Sequence, residues 1–179
     1  MTTANAVPRV AGDHRVLGLN HVAYRCRDAS ETARFYRDVL GMPLAHVIVQ
    51  DRVPSTQEFA PHCHLFFEMA DGSWVAFFDI ADETEVEQET NPDWAQHLAM
   101  EVATLGVLEA RKKSLEDHGV SVLGPVDHGF ITSIYFRDPS GHRLEFACRT
   151  HGPDELHSFA AAAADELTNW DARKASHLG

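Results

Sequence analysis

From Leu17 to Cys26 apolar and polar residues alternate, so Leu19, His21 and Ala23 share one side of a predicted strand while Val22 and Tyr24 take the other. After Asp28-Ala29-Ser30 the period lengthens. Ala33, Phe35, Tyr36, Val39 and Leu40 form an apolar stripe at helical spacing over Glu31–Leu40, with Asp28 or Ser30 as the cap and Gly41 as the stop. Three more strands are predicted near Pro43–Gln50, His62–Met69 and Ser73–Ile80, the last two joined by Ala70-Asp71-Gly72, a hairpin turn signal. The order is βαβββ.

The pattern then repeats. His21-Val22-Ala23-Tyr24 returns as His97-Leu98-Ala99-Met100, followed by a helix over about Gly106–Asp117 and by Gly119. Gly72-Ser73-Trp74-Val75-Ala76-Phe77-Phe78 returns as Gly141-His142-Arg143-Leu144-Glu145-Phe146-Ala147. The expected class is α+β: a single domain with module one over about 15–82, an acidic solvated linker over about 83–93 and module two over about 94–149. An Ala-rich C-terminal helical extension over about 153–179 has no counterpart in the repeat and reads as a lid or an interface element.

Val126–Glu145 is the stretch richest in reactive side chains. It reads as a hairpin in which Pro139 presets a type I turn and Gly141 takes a left-handed conformation. Asp138 then lies opposite His142 and Tyr135 opposite Glu145, so the phenol and the carboxylate project from one face, with His128 near enough to share a pocket. The repeat adds His21 and His97, which hold the same position on the first strand of each module. Leu98, Met100 and Val102 point into apolar packing while His97 points away, and Leu144 and Phe146 likewise flank Glu145. Either histidine taken alone reads as a satisfied, partly buried residue. Together with Glu145 they make two imidazoles and one carboxylate, the facial ligand set of non-haem Fe(II) centres.

Val126, His128, Ile134-Tyr135, Asp138-Pro139, Gly141 and Glu145 resemble, in type and spacing, the signature of type I extradiol ring-cleaving dioxygenases. That group belongs to the vicinal-oxygen-chelate superfamily, with glyoxalase I and bleomycin-resistance proteins. The resemblance spans roughly Leu17–Arg149. It implies two βαβββ modules in a curved, open mixed sheet around a metal, with His21, His97 and Glu145 as ligands of Fe(II), Mn(II) being possible. It further implies Tyr135 as the hydrogen-bonding partner of a catechol-like aromatic diol, His128 as the acid–base group, and O2 as co-substrate. Aligning Gly72 with Gly141 sets Ala76 opposite Glu145, so the fourth ligand of glyoxalase I is missing. Many dioxygenase relatives carry a base some fifteen residues before the second ligand; Ala81–Gln96 has no histidine, leaving His64, His62 or a linker carboxylate for that role. Trp74, Phe77, Phe130 and Phe159 are candidate pocket walls.

Composition narrows the partners. Twenty-seven acidic against 15 basic residues give a net charge of −12, which opposes a nucleic-acid partner. No apolar run has the length of a membrane span, and the opening residues lack a signal-peptide core, so a cytoplasmic protein with no membrane partner is expected. Cys26, Cys63 and Cys148 are too few and scattered for a disulfide framework. Exposed edges of an open sheet predict a homodimer or higher homo-oligomer. The expected activity is extradiol ring cleavage. The alternatives are a glyoxalase-like lyase or epimerase, which Ala76 disfavours, and a metal-free small-molecule (antibiotic) binding protein.

Overall fold

The computed structural model describes residues 16–82, 92 and 94–178. The lead-in and nearly all of the acidic linker lie outside these residues. Gly18–Arg149 forms one compact unit containing both βαβββ modules: β1 (His21–Arg25), α1 (Ala29–Arg34), β2 (Leu44–Arg52), β3 (Phe59–Glu68) and β4 (Trp74–Ile80), then β5 (Leu98–Val102), α2 (Leu105–Asp117), β6 (Leu123–Asp127), β7 (Ile131–Arg137) and β8 (Arg143–Arg149).

Local chemistry sets the helix starts. Asp28 caps α1, its Oδ1 accepting from the Glu31 N–H at 2.6 Å, and Thr104 Oγ1 accepts from the Val107 N–H at 3.2 Å to cap α2. The helix expected over Glu31–Leu40 is not continuous. α1 gives way to a π-helical turn at Phe35–Val39, in which Leu40 N donates to Phe35 O at 3.0 Å. The wider turn accommodates two adjacent buried aromatics, Phe35 and Tyr36.

Each module makes a four-stranded mixed sheet, ordered β1-β4-β3-β2 and β5-β8-β7-β6. In both, the first strand runs parallel to the last and the other pairs are antiparallel. Gly124, in edge strand β6, adopts φ +110, and a Cβ there would meet Ser133 O at 2.7 Å, so the strand approaches β7 this closely only with glycine. The β7–β8 turn is as expected: Gly141 takes φ +93, and Asp138 N donates to His142 O at 3.1 Å.

Alternation along the strands divides each sheet into an apolar and a polar face. Leu65, Phe67, Val75 and Phe77 from the first sheet join Ile134, Phe136, Leu144 and Phe146 from the second in a single hydrophobic core, with Phe35, Tyr36, Leu108 and Leu115 from the helical segments. Burial of this apolar area is the main term favouring the fold. Polar contacts also tie the modules together: Tyr36 OH donates to Asp138 Oδ2 at 3.2 Å, Arg111 Nη1 donates to Leu40 O at 2.9 Å, Arg27 N donates to Ser140 Oγ at 3.1 Å, and His142 Nε2 lies 2.7 Å from Arg25 O. With their apolar faces in one core, both sheets carry their candidate site residues on the opposite, outer faces.

Residues from Thr150 onward belong to a second unit, dominated by α3 (Pro153–Leu178), 26 residues long. Among the described residues no helix is long and apolar enough to cross a membrane.

Candidate metal centre

Glu145 sits in the middle of β8, paired with Tyr135 on β7 and Ala99 on β5. Its neighbours Leu144 and Phe146 point into the core, so the carboxylate is held on the outer face of the sheet. It is nevertheless only 2% exposed. Oε2 lies 2.7 Å from His97 Nε2, while Oε1 is buried with no hydrogen-bond partner. A buried carboxylate oxygen left without a partner is costly, and a divalent cation beside an imidazole would satisfy it. The residues present fit such a group.

The other two residues singled out in the hairpin join this pair. His128 Nε2 and the Tyr135 hydroxyl lie 2.8 Å apart, and the Tyr135 ring meets His97 edge-on at 5.7 Å. Burial, then the Glu145 charge, pushes the Tyr135 hydroxyl above the ordinary phenol pKa, so it stays protonated and keeps a hydrogen to donate. Arg143, two residues before Glu145 on the same face, places its guanidinium 4.5 Å from the Tyr135 ring centre. Arg143 was not among the sequence candidates, although strand parity alone puts it beside Glu145.

His21 lies elsewhere. It is on the outer face of the first sheet, with Nδ1 2.7 Å from Asn20 Oδ1 and its ring 5.9 Å from Phe66. Among the described residues no three His, Cys, Asp or Glu side chains of one chain gather as a metal-binding group. Beside His21, His64 is sandwiched between Phe66 at 4.1 Å and Phe78 at 3.7 Å. Burial, then the neighbouring His21, His62 and His46, lowers its pKa to about 4, which keeps it neutral and makes it a weak base. His62 is buried, its Nδ1 2.7 Å from Ala60 O.

The register tests the expected equivalence of the modules. Ala23 pairs with Ala76 on β4 and Ala99 with Glu145 on β8; Ala23 and Ala99 each stand two residues after the repeated histidine. Ala76 is therefore the counterpart of Glu145. One wall candidate needs correction: Phe77 is fully buried in the core, because it points to the face opposite Ala76. Trp74 lies on the outer face against Phe66, and Phe130, ahead of β7, is 44% exposed.

The chain is similar in sequence and fold to known proteins. The profile of the Glyoxalase/Bleomycin resistance protein/Dioxygenase superfamily matches residues 18–146. The metallothiol transferase FosB of Bacillus licheniformis is 30% identical over 135 residues, 74% of this chain and 76% of that protein. Biphenyl-2,3-diol 1,2-dioxygenase 3 of Rhodococcus globerulus is 38% identical over 66 residues, 34% of this chain and 35% of the relative, so that match spans about a third of the dioxygenase. The fosfomycin resistance protein FosX of Listeria monocytogenes, solved with Mn(II) and sulfate, superposes with a TM-score of 0.53 at 20% identity, covering 76% of this chain and 95% of that one. With the profile extending over both modules, from the strand bearing His21 to the strand bearing Glu145, the chain belongs to the glyoxalase/bleomycin resistance protein/dioxygenase superfamily.

Proposed function

We propose that His97 and Glu145 hold a divalent metal, Fe(II) or Mn(II), and that the protein is an enzyme cleaving the ring of a catechol-like diol with O2. His21 completes the ligand set from a second copy. The two outer faces point away from one shared core, so the first sheet of one chain reaches the second sheet of another in a homodimer. The observation that carries the reading is the pair His128 and Tyr135, 2.8 Å apart, set beside a buried carboxylate whose Oε1 is without a partner.

Bound there, the metal would supply Lewis acidity and open positions for a diol and O2. The chain's own residues orient the substrate and move protons. The Tyr135 oxygen accepts from a substrate hydroxyl while its one hydrogen is donated to His128 Nε2. His128, exposed to solvent, takes up that hydrogen as a proton while Tyr135 takes the substrate's, so Tyr135 remains a neutral phenol that then donates to the substrate oxygen, and His128 returns the proton to solvent or product. Leu144 and Phe146 anchor β8 in the core and so fix the position of Glu145 without contacting the substrate.

A second reading, transfer of a thiol to a small molecule on the same metal, is favoured by the FosB similarity, which covers three quarters of both chains. One experiment separates the two. The protein is loaded anaerobically with Fe(II) or Mn(II), metal per chain is counted, and O2 uptake with a panel of catechols is compared with anaerobic thiol consumption. About one metal per chain with O2 uptake supports ring cleavage. Thiol loss without O2 uptake replaces that reading with the second, and a protein that binds no metal ends both.

A further inference from the structure

Along α3 the large apolar residues fall on one side of the helix. Leu156, Phe159, Ala163, Leu167 and Trp170 recur at spacings of three, four, four and three, which keeps them in a single stripe. Asp154, Ser158, Asp165 and Asn169 occupy the opposite side. The large members of the stripe are open to solvent: Leu156 is 45% exposed, Leu167 63% and Trp170 54%. Phe159 keeps 46% exposure, although its ring also meets His151 at 6.3 Å. A helix of 26 residues that leaves its apolar side in water gains little from burial. Four such side chains in one row mark an interaction surface.

The order of residues in the stripe identifies what covers it. It reads the same in both directions about Ala163: Phe159 and Leu167 stand four residues to either side, Leu156 and Trp170 seven. We propose that α3 pairs antiparallel with α3 of a second copy of this chain, across a two-fold axis at Ala163. Leu156 then meets Trp170 and Phe159 meets Leu167, and the same pairs recur at the other end, as an isologous contact requires. Ala163 meets its own counterpart at the centre, where a small side chain lets the two helices approach closely. Charge favours the same direction. The first turn carries Asp154 and Glu155, Glu155 also accepting from the Gly152 N–H at 2.8 Å, and Lys174 lies near the far end of the helix. An antiparallel partner brings these opposite charges together and opposes the two helix dipoles, whereas a parallel one would set like against like. A lipid surface fits less well, since the polar side carries Asp154 and Asp165 where such helices carry Lys and Arg. The pairing needs no metal and does not depend on the reaction catalysed.

The test is disulfide trapping in the 179-residue chain, oxidised with diamide in the presence of a chelator. The unaltered protein gives the background from Cys26, Cys63 and Cys148. Ala163→Cys should form disulfide-linked dimers. Leu156→Cys alone should stay at background, because its two sulfurs lie about 21 Å apart along an antiparallel pair. Mixed equally with Trp170→Cys and left to exchange chains, it should be trapped. Adding Leu167→Glu to Ala163→Cys should slow trapping roughly 10-fold or more, since it seats a charge in the apolar seam. Trapping of Ala163→Cys at the background rate, or undiminished by Leu167→Glu, overturns the pairing. Self-trapping of Leu156→Cys as fast as that of Ala163→Cys overturns the antiparallel arrangement and the proposal with it. A chain that is trapped as expected but binds no metal upholds this inference and ends the metal reading alone.

Discussion

Glu145 and His97 are in direct contact, Oε2 to Nε2 at 2.7 Å, yet the second carboxylate oxygen is buried without a hydrogen-bond partner. In the absence of metal the arrangement therefore carries a desolvation cost. Fe(II) or Mn(II) should raise the melting temperature, a hundredfold excess over Kd stabilising the protein by about 2.7 kcal/mol. His97→Ala and Glu145→Ala should lose metal and this stabilisation, while Glu145→Gln without metal should melt no lower than wild type. A melt unmoved by metal in wild type, or moved equally in all variants, removes these residues from the site.

His21 on the outer face of the first sheet predicts complementation between chains. His21→Ala and Glu145→Ala should each bind no metal alone. Refolded together as an equal mixture, half the dimers carry one of each chain, and one of the two sites in each is intact, restoring about a quarter of wild-type sites. No recovery on mixing would mean that His21 serves its own chain or is not a ligand.

Ala76 is the positional counterpart of Glu145 and fully buried. Ala76→Glu should place an unpaired carboxylate in a closed position and destabilise the protein by several kcal/mol, as burial of an uncompensated charge does. Metal should recover part of that loss if the new carboxylate reaches the centre, and O2 chemistry should then fall as an open position closes. Calorimetric melting with and without Mn(II), followed by O2 uptake, reads both effects.

His128 and Tyr135 touch each other and are proposed to handle protons, so His128→Ala and Tyr135→Phe should keep full metal content. Removing a positioned acid–base group lowers kcat by about 10²- to 10⁴-fold, and His128→Ala belongs in that range. Loss of the one hydroxyl in Tyr135→Phe should cost about 10- to 10²-fold, or 1.4 to 2.7 kcal/mol. Near-normal turnover of a catechol by both variants would remove His128 and Tyr135 from the chemistry and leave the hairpin as shared architecture.

Burial raises the Cys26 thiol pKa to about 11, above its ordinary value of 9.0, so the fold holds the proton more tightly than the unfolded chain does. The stabilisation this gives is complete below pH 9 and is lost as pH rises toward 11. At pH 8 only about one thiol in 10³ would be ionised, so alkylation of native protein should be slow at Cys26 and become fast in denaturant. Rapid labelling of Cys26 in the folded protein would contradict its burial.

Much of this protein was legible along the chain because its information is periodic. Alternation at His21–Tyr24 and His97–Met100, the turn chemistry of Pro139 and Gly141, and the parity of Tyr135 and Glu145 are properties of neighbouring residues, and the strand period of two carries them directly into the faces of a sheet. Pairing of Tyr135 with Glu145 and equivalence of Ala76 with Glu145 followed from those same local rules. The helix over Glu31–Leu40 was only half right, since local propensity does not register that burying both Phe35 and Tyr36 needs a wider turn. Tertiary packing alone decided that the two modules put their apolar faces into one core, which separates His21 from His97 and Glu145 within a chain. His21 and His97 share a repeat position and a face and so read alike in sequence, because a linear pattern records which side of a strand a residue occupies but not which way the whole sheet is turned.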